Sequence, residues 1–133
     1  MIVCLDTNIV IYCVESDPVW EPRVAGRFKA FAAAGDTLAA SDAARLECLV
    51  GPFQSGDAAV LADYQKFFGS PALQMLPVTP AVWERAAQIR AAYKFQALDS
   101  IHLASAIEHG CGLFLTNDAQ LARFKAIPVE VLT

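Results

Sequence analysis

The sequence is short of several features that would narrow its role at once. No stretch reaches the ~18 uncharged apolar residues of a membrane span, so no membrane association is expected. The apolar start lacks a basic leader and is interrupted by Asp6 and Asn8, which argues against a signal peptide. Four cysteines, Cys4, Cys13, Cys48 and Cys111, fit no zinc spacing. Each sits in an apolar context, as small buried thiols in a reducing compartment do. Basic residues are outnumbered, with 10 Lys and Arg against 14 Asp and Glu and a net charge of −4. That balance gives no general attraction to nucleic acid or to an anionic membrane. A polyanionic substrate would need its charge met locally. Repeats, low-complexity tracts and linkers are also missing. What remains is a cytoplasmic protein whose residues 1–133 form one domain, large enough to bury a core. At 56% hydrophobic and 18% charged, the composition excludes disorder.

What is present is an alternation of short apolar runs with helical segments. MIVCL reads as a strand and TNIVIYCVE as a helix that Asp17-Pro18 ends. Pro22 to Ala34 forms a second helix, closed by Gly35 where a left-handed cap is wanted. Thr37 to Ala40 is a strand. Ser41-Asp42 starts a helix through Leu49, which Gly51-Pro52 stops. Asp57 to Phe68 carries Val60, Leu61, Tyr64, Phe67 and Phe68 at helical spacing. Leu73 to Val78 is a strand, and Pro80 opens a helix to Tyr93. Leu98 to His109 is a helix ended by Gly110. Gly112 to Leu115, Asp118 to Phe124 and Val129 to Leu132 read as strand, short helix and strand. Such alternation argues for an α/β protein with a mostly parallel sheet covered by helices on both faces. Ligands of these sheets bind beyond the carboxyl ends of the strands, so acids at those ends matter.

Four acids stand out. Asp6 ends the first strand. GLFL is followed by Thr116, Asn117 and Asp118, so a second strand also ends in an acid. Asp99 begins the apolar helix ALDSIHLASAIEHG. Glu47 has Ala43, Ala44, Val50 and Gly51 as its helical neighbours, and an isolated carboxylate on that apolar side is expensive. Each has a bland explanation. Asp118 and Asp99 suit helix caps and dipoles, Asp6 could cap a helix although Thr7 or Asn8 would serve as well, and Glu47 could reach Arg45 or Arg90 or snorkel to solvent. Jointly, four carboxylates from separate segments point to one pocket. Two such charges ~4 Å apart repel by about 4 kcal/mol at an effective dielectric near 20, so the pocket needs cations or protons. Oxygen ligands with no nearby His or Cys select Mg²⁺ or Mn²⁺. His102 and His109 share one side of the Asp99 helix, past its metal-binding start, and read as structural or surface residues.

LDTNI, the inward Glu47, ALDSIHLASA and LTND together resemble the motifs of PIN-domain nucleases, over essentially the whole chain. Length and element order resemble the VapC-type toxins of bacterial toxin–antitoxin pairs. The resemblance implies a three-layer α/β/α sandwich and Mg²⁺- or Mn²⁺-dependent hydrolysis of RNA. It implies that Asp6, Glu47, Asp99 and Asp118 are the catalytic acids, with Asp6 and Asp99 the principal metal ligands. Thr7, Asn8, Thr116 and Asn117 match the polar companions of those motifs and would position ligands or substrate. Lys94, Arg45, Arg85, Arg90 and Arg123 are scattered, so no phosphate-tracking stripe stands out.

The segment from Glu47 to Gly69 and the first helix carry ample apolar surface, including Phe53, Val60, Leu61, Tyr64, Phe67, Phe68, Val10, Tyr12 and Val14. It reads either as core or as a homodimer face and a groove for an antitoxin, in a toxin–antitoxin hetero-oligomer. Two rival readings differ in chemistry. An inactive PIN-like module binding RNA or protein would leave the acids only destabilising. A phosphoacceptor receiver domain would want an acid where LQMLPVTP ends in Thr79-Pro80, and a Lys after GLFLTND; neither is there.

Overall fold

A computed structural model describes residues 1–133. Its five strands are β1 (Ile2–Leu5), β2 (Thr37–Ser41), β3 (Leu73–Leu76), β4 (Leu113–Thr116) and β5 (Val129–Val131). They form one sheet in the order β3-β2-β1-β4-β5, and every neighbouring pair is parallel. Helices α1 (Thr7–Val14), α2 (Glu21–Ala33), α3 (Ala43–Ser55) and α4 (Ala58–Phe68) precede β3, and α5 (Pro80–Tyr93) and α6 (Ala97–Glu108) follow it. Residues 119–123 form a 3₁₀ helix.

The period of two along each strand builds the three layers. Val3 and Leu5 of β1 join α1, α2, α3 and α4 in one core, whereas Cys4 joins α5 and α6 in the other. On β4, Phe114 and Leu115 divide the same way and both are fully buried. Each such side chain contributes about 1.5–3 kcal/mol on removal from water. The architecture is therefore the expected α/β/α sandwich, with all sheet pairings parallel. The four cysteines are free thiols, two buried and two half-buried. No helix is long and apolar enough to cross a membrane.

Three elements depart from expectation, α3 the most. Gly51-Pro52 does not stop α3, which runs on to Ser55 with Pro52 inside it and buried. Burial of the ring offsets the backbone bond that proline cannot donate. The true stop is Gly56, at φ 69°, whose N–H bonds to Pro52 O. Gly35 closes α2 at φ 80° as anticipated. The last short helix is 3₁₀ rather than α, and β3 ends at Leu76, two residues early.

The strand order determines where a ligand can sit. The chain winds from β1 outward to β3, then crosses to β4 on the other side of β1. The β1–β4 boundary is thus a topological switch point, where the connections leave a crevice at the carboxyl ends.

Candidate active site

Asp6 follows the last residue of β1 and lies at this switch point. Leu5 pairs with Leu115, so Asp6 falls beside Thr116. Its N–H bonds to Leu115 O at 2.9 Å. Both carboxylate oxygens are engaged: Thr7 N–H donates to Oδ1 at 2.8 Å and the Thr116 hydroxyl donates to Oδ2 at 2.6 Å. The Thr116 hydroxyl oxygen in turn accepts from Asp118 N–H at 3.0 Å. Asp6 is also the N-cap of α1. Capping and presentation at the sheet edge are compatible, because the cap uses one carboxylate oxygen and Thr116 the other. Burial raises its pKa, while His102, Thr116 and the Thr7 N–H oppose that and Glu47 adds to it.

Glu47 reaches the same edge from α3. It pairs with neither Arg45, which holds Asp42, nor Arg90, which donates to Phe95 O. Its partners are the Thr7 hydroxyl and His102 Nε2, both 2.6 Å from Oε1. Burial pushes its pKa up, but the bonds from His102 and Thr7 outweigh this and hold it below the ordinary value. The side chain is half-buried, 30% exposed, rather than enclosed by an apolar face.

His102 was expected to be structural or at the surface, and of these only the surface alternative fails. It is fully buried and faces the acids, whereas His109 is near the surface, with Nε2 close to Pro77 O. Three residues after Asp99, His102 lies on the same helix side, and that spacing was the available signal. Burial lowers its pKa, but the Glu47 bond and the charges of Asp6, Glu47 and Asp99 turn the net shift upward.

Asp99 is in the first turn of α6 and makes no protein hydrogen bond that would hold its carboxylate. Its pKa is pushed up to about 6, first by burial, then by Asp6, with Asp118 and Glu47 adding and His102 opposing. Asp118 caps the 3₁₀ helix through Gln120 N–H at 2.9 Å, as its bland reading required, yet its charge is felt at Asp99. Asn8 and Asn117 are tied together, Asn117 N–H to Asn8 Oδ1 at 3.3 Å, and Asn117 Nδ2 donates to Tyr12 OH at 2.8 Å. All eight residues singled out in the sequence therefore lie along the carboxyl edge around β1, β4 and the starts of α1 and α6, with Glu47 approaching from α3.

The donors here are hard oxygens, and no Lys or Arg pairs with Asp6, Glu47, Asp99 or Asp118. The His102 ring is the one basic side chain bonded to any of them. No three Asp, Glu, His or Cys groups close into a ready cage. An open arrangement fits Mg²⁺, which is usually held by one or two carboxylates and keeps several waters. Asp6 and Asp99 are the groups whose raised pKa values a cation would relieve.

Comparison with known proteins bears on the family and the fold. A family model described as PIN domain matches residues 3–127. No curated protein matches the chain. Among solved structures, VapBC2 from Rickettsia felis, bound to a DNA fragment from its promoter, is similar over 100% of both chains, with TM-score 0.83 and 18% identity. A toxin–antitoxin complex from Klebsiella pneumoniae matches at TM-score 0.71 and 21% identity, covering 97% of this chain and 96% of that one. VapBC-1 from nontypeable Haemophilus influenzae matches at TM-score 0.72 and 17% identity, over 98% of each chain. At these identities the structural likeness speaks for the fold.

Proposed function

The chain belongs to the PIN-domain family, and on that premise we propose that it is a Mg²⁺- or Mn²⁺-dependent endoribonuclease acting as the VapC-type toxin of a toxin–antitoxin pair. The observation that carries the reading is the unneutralised acidic edge: Asp6 fixed at the switch point, Asp99 raised to about 6 by burial and its neighbours, and no Lys or Arg to balance either. Asp6 and Asp99 would be the principal ligands, with Glu47 and Asp118 completing the site. A bound divalent ion would supply an activated water and positive charge for the departing oxygen. This chain's residues do the rest. Thr116 and the Thr7 N–H hold both Asp6 oxygens. Thr7 and His102 hold Glu47. Asn8 and Asn117, tied to each other, flank the edge where a phosphodiester would lie. The net charge of −4 makes the ion's charge essential for holding RNA phosphate.

A protein partner is part of the same reading. Leu46, Val50 and Phe53 are 61%, 44% and 64% exposed, and their i, i+4, i+7 spacing lines them along one side of α3. An apolar groove between Arg45, Leu49, Gln54 and these three runs along it. Of the residues flagged in the sequence, Val10, Tyr64 and Phe68 are core, and Phe53 alone is well exposed. The remaining stripe suits an antitoxin helix or a second copy of the chain, and the similar structures are toxin–antitoxin complexes.

The test is calorimetric titration of Mn²⁺ into metal-free protein beside its Asp6→Asn/Asp99→Asn variant, with both samples assayed on a mixed RNA pool with Mg²⁺. Binding and cleavage in the parent, both lost in a folded variant, support the reading. Absence of binding in the parent returns the acids to caps and surface.

A further inference from the structure

Three polar atoms beside the acidic edge form a closed triangle. Glu47 Oε1 lies 2.6 Å from the Thr7 hydroxyl and 2.6 Å from His102 Nε2, and the latter two are 3.0 Å apart. An ionised carboxylate can only accept, so the hydroxyl proton and a proton on Nε2 must both point at Oε1. Thr7 has one proton to give and gives it to Glu47, which leaves its own oxygen as a secondary acceptor for Nε2–H. The proton on Nε2 is therefore required by the geometry, whatever happens at Nδ1. Nδ1 is buried and has no hydrogen-bond partner. A histidine serving only to fill the core would leave that orphan for nothing, since an apolar side chain would fill the space without one. The ring's one directed interaction is with Glu47 and Thr7.

We infer that Thr7 and His102 are positioning residues that clamp Oε1 of Glu47 and leave Oε2 as the single oxygen this residue can offer a divalent cation. Both lone pairs of Oε1 are committed, and neither bond uses Oε2. A two-oxygen grip on an ion would require breaking at least one of these short hydrogen bonds. That constraint discriminates between ions. Mg²⁺ demands a near-ideal octahedron, whereas Ca²⁺ readily takes both oxygens of a carboxylate. The clamp thus favours the smaller ion. Identity of the cation rests on the metal-nuclease reading; the clamp does not, because its three contacts are made between the chain's own atoms.

Two measurements test this. The first is imidazole ¹⁵N NMR of the metal-free protein, which reads where the His102 proton sits. The second is calorimetric titration with Mn²⁺ and separately with Ca²⁺, on the parent and four variants checked for folding by thermal melts. His102→Gln retains a donor near the Nε2 position and Thr7→Ser retains the hydroxyl, while His102→Met and Thr7→Val fill similar space without them. The expected result is a proton on Nε2, Mn²⁺ affinity within about threefold of the parent for Gln and Ser, and a loss of roughly 10- to 100-fold for Met and Val, with Ca²⁺ affected less. A bare Nε2 overturns the clamp. Equal Mn²⁺ affinity across all four variants, or equal loss for both ions, overturns the positioning role. If the parent binds neither ion, the metal reading and the role of Oε2 fail together, and the NMR result still decides the clamp.

Discussion

The acidic edge has two unlike halves. Asp6 and Glu47 are held: both Asp6 oxygens have donors, and one Glu47 oxygen has two. Asp99 and Asp118 are not. Asp99 has no protein donor, and Asp118 accepts only the backbone bond of its own cap. Hydrogen bonding prepares the first half in advance, whereas Asp99 is loaded by burial first and then by the charge of Asp6. The comparison separates two ways of placing charge. A carboxylate with donors is oriented by the chain itself, whereas Asp99, buried without donors beside Asp6, leaves its charge for a cation to meet.

The largest effect should come from removing charge where the halves meet. Asp6→Asn is expected to reduce RNA cleavage by roughly 10³-fold, since it deletes a ligand where a cation supplies several kcal/mol of transition-state stabilisation. Single-turnover cleavage with saturating Mg²⁺ measures it, and a loss below tenfold would remove Asp6 from the ligand set. Next comes unfastening the held half while keeping its charge. Thr116→Val leaves Asp6 Oδ2 buried without its donor. We expect stability to drop by about 1–3 kcal/mol and Mn²⁺ affinity to drop by roughly 10-fold or more, read by urea unfolding and calorimetry. Unchanged affinity would show that Asp6 needs no fastening.

The unheld half predicts a dependence on pH. An unfolded Asp titrates near its ordinary value of 3.8, and folded Asp99 at about 6. Between these values the folded protein keeps a proton that the unfolded chain has lost. Asp99 therefore destabilises the metal-free fold progressively as pH rises from about 4 to 6, with the full penalty above that. Asp99→Asn should melt higher than the parent at about pH 7.5 in EDTA, with the gap closing below about pH 4. A constant gap at all pH values would mean that Asp99 is unperturbed. The smallest effect separates cap from charge. Asp118→Asn keeps a good capping residue and should change stability by less than about 0.5 kcal/mol, while Asp118→Ala loses about 1 kcal/mol. Cleavage should fall in both. If only the Ala variant loses cleavage, Asp118 acts through its cap.

The same division marks what could be read in the sequence. Strand and helix order follows from local periodicity, and Asp6, Asp99 and Asp118 were visible because each interrupts an apolar run at an element boundary. Pro52 misled because its tolerance in α3 depends on burial by distant residues, which no local pattern records. Glu47 was recognisable as out of place, but its partners were not: Thr7 lies 40 residues away and His102 lies 55 away. His102 was set aside because it falls a full turn past Asp99. Only the packing of α6 against α3 and β2 turns that turn of helix toward Glu47.

The most direct test is a crystal structure grown with Mn²⁺, the ion located by its anomalous scattering. One ion or two is expected between Asp6 and Asp99, with Asp99 turned toward it while Glu47, Thr7 and His102 keep their present distances. Mn²⁺ absent from that edge in well-ordered crystals, or bound there only after the Glu47 triangle has come apart, would contradict that expectation.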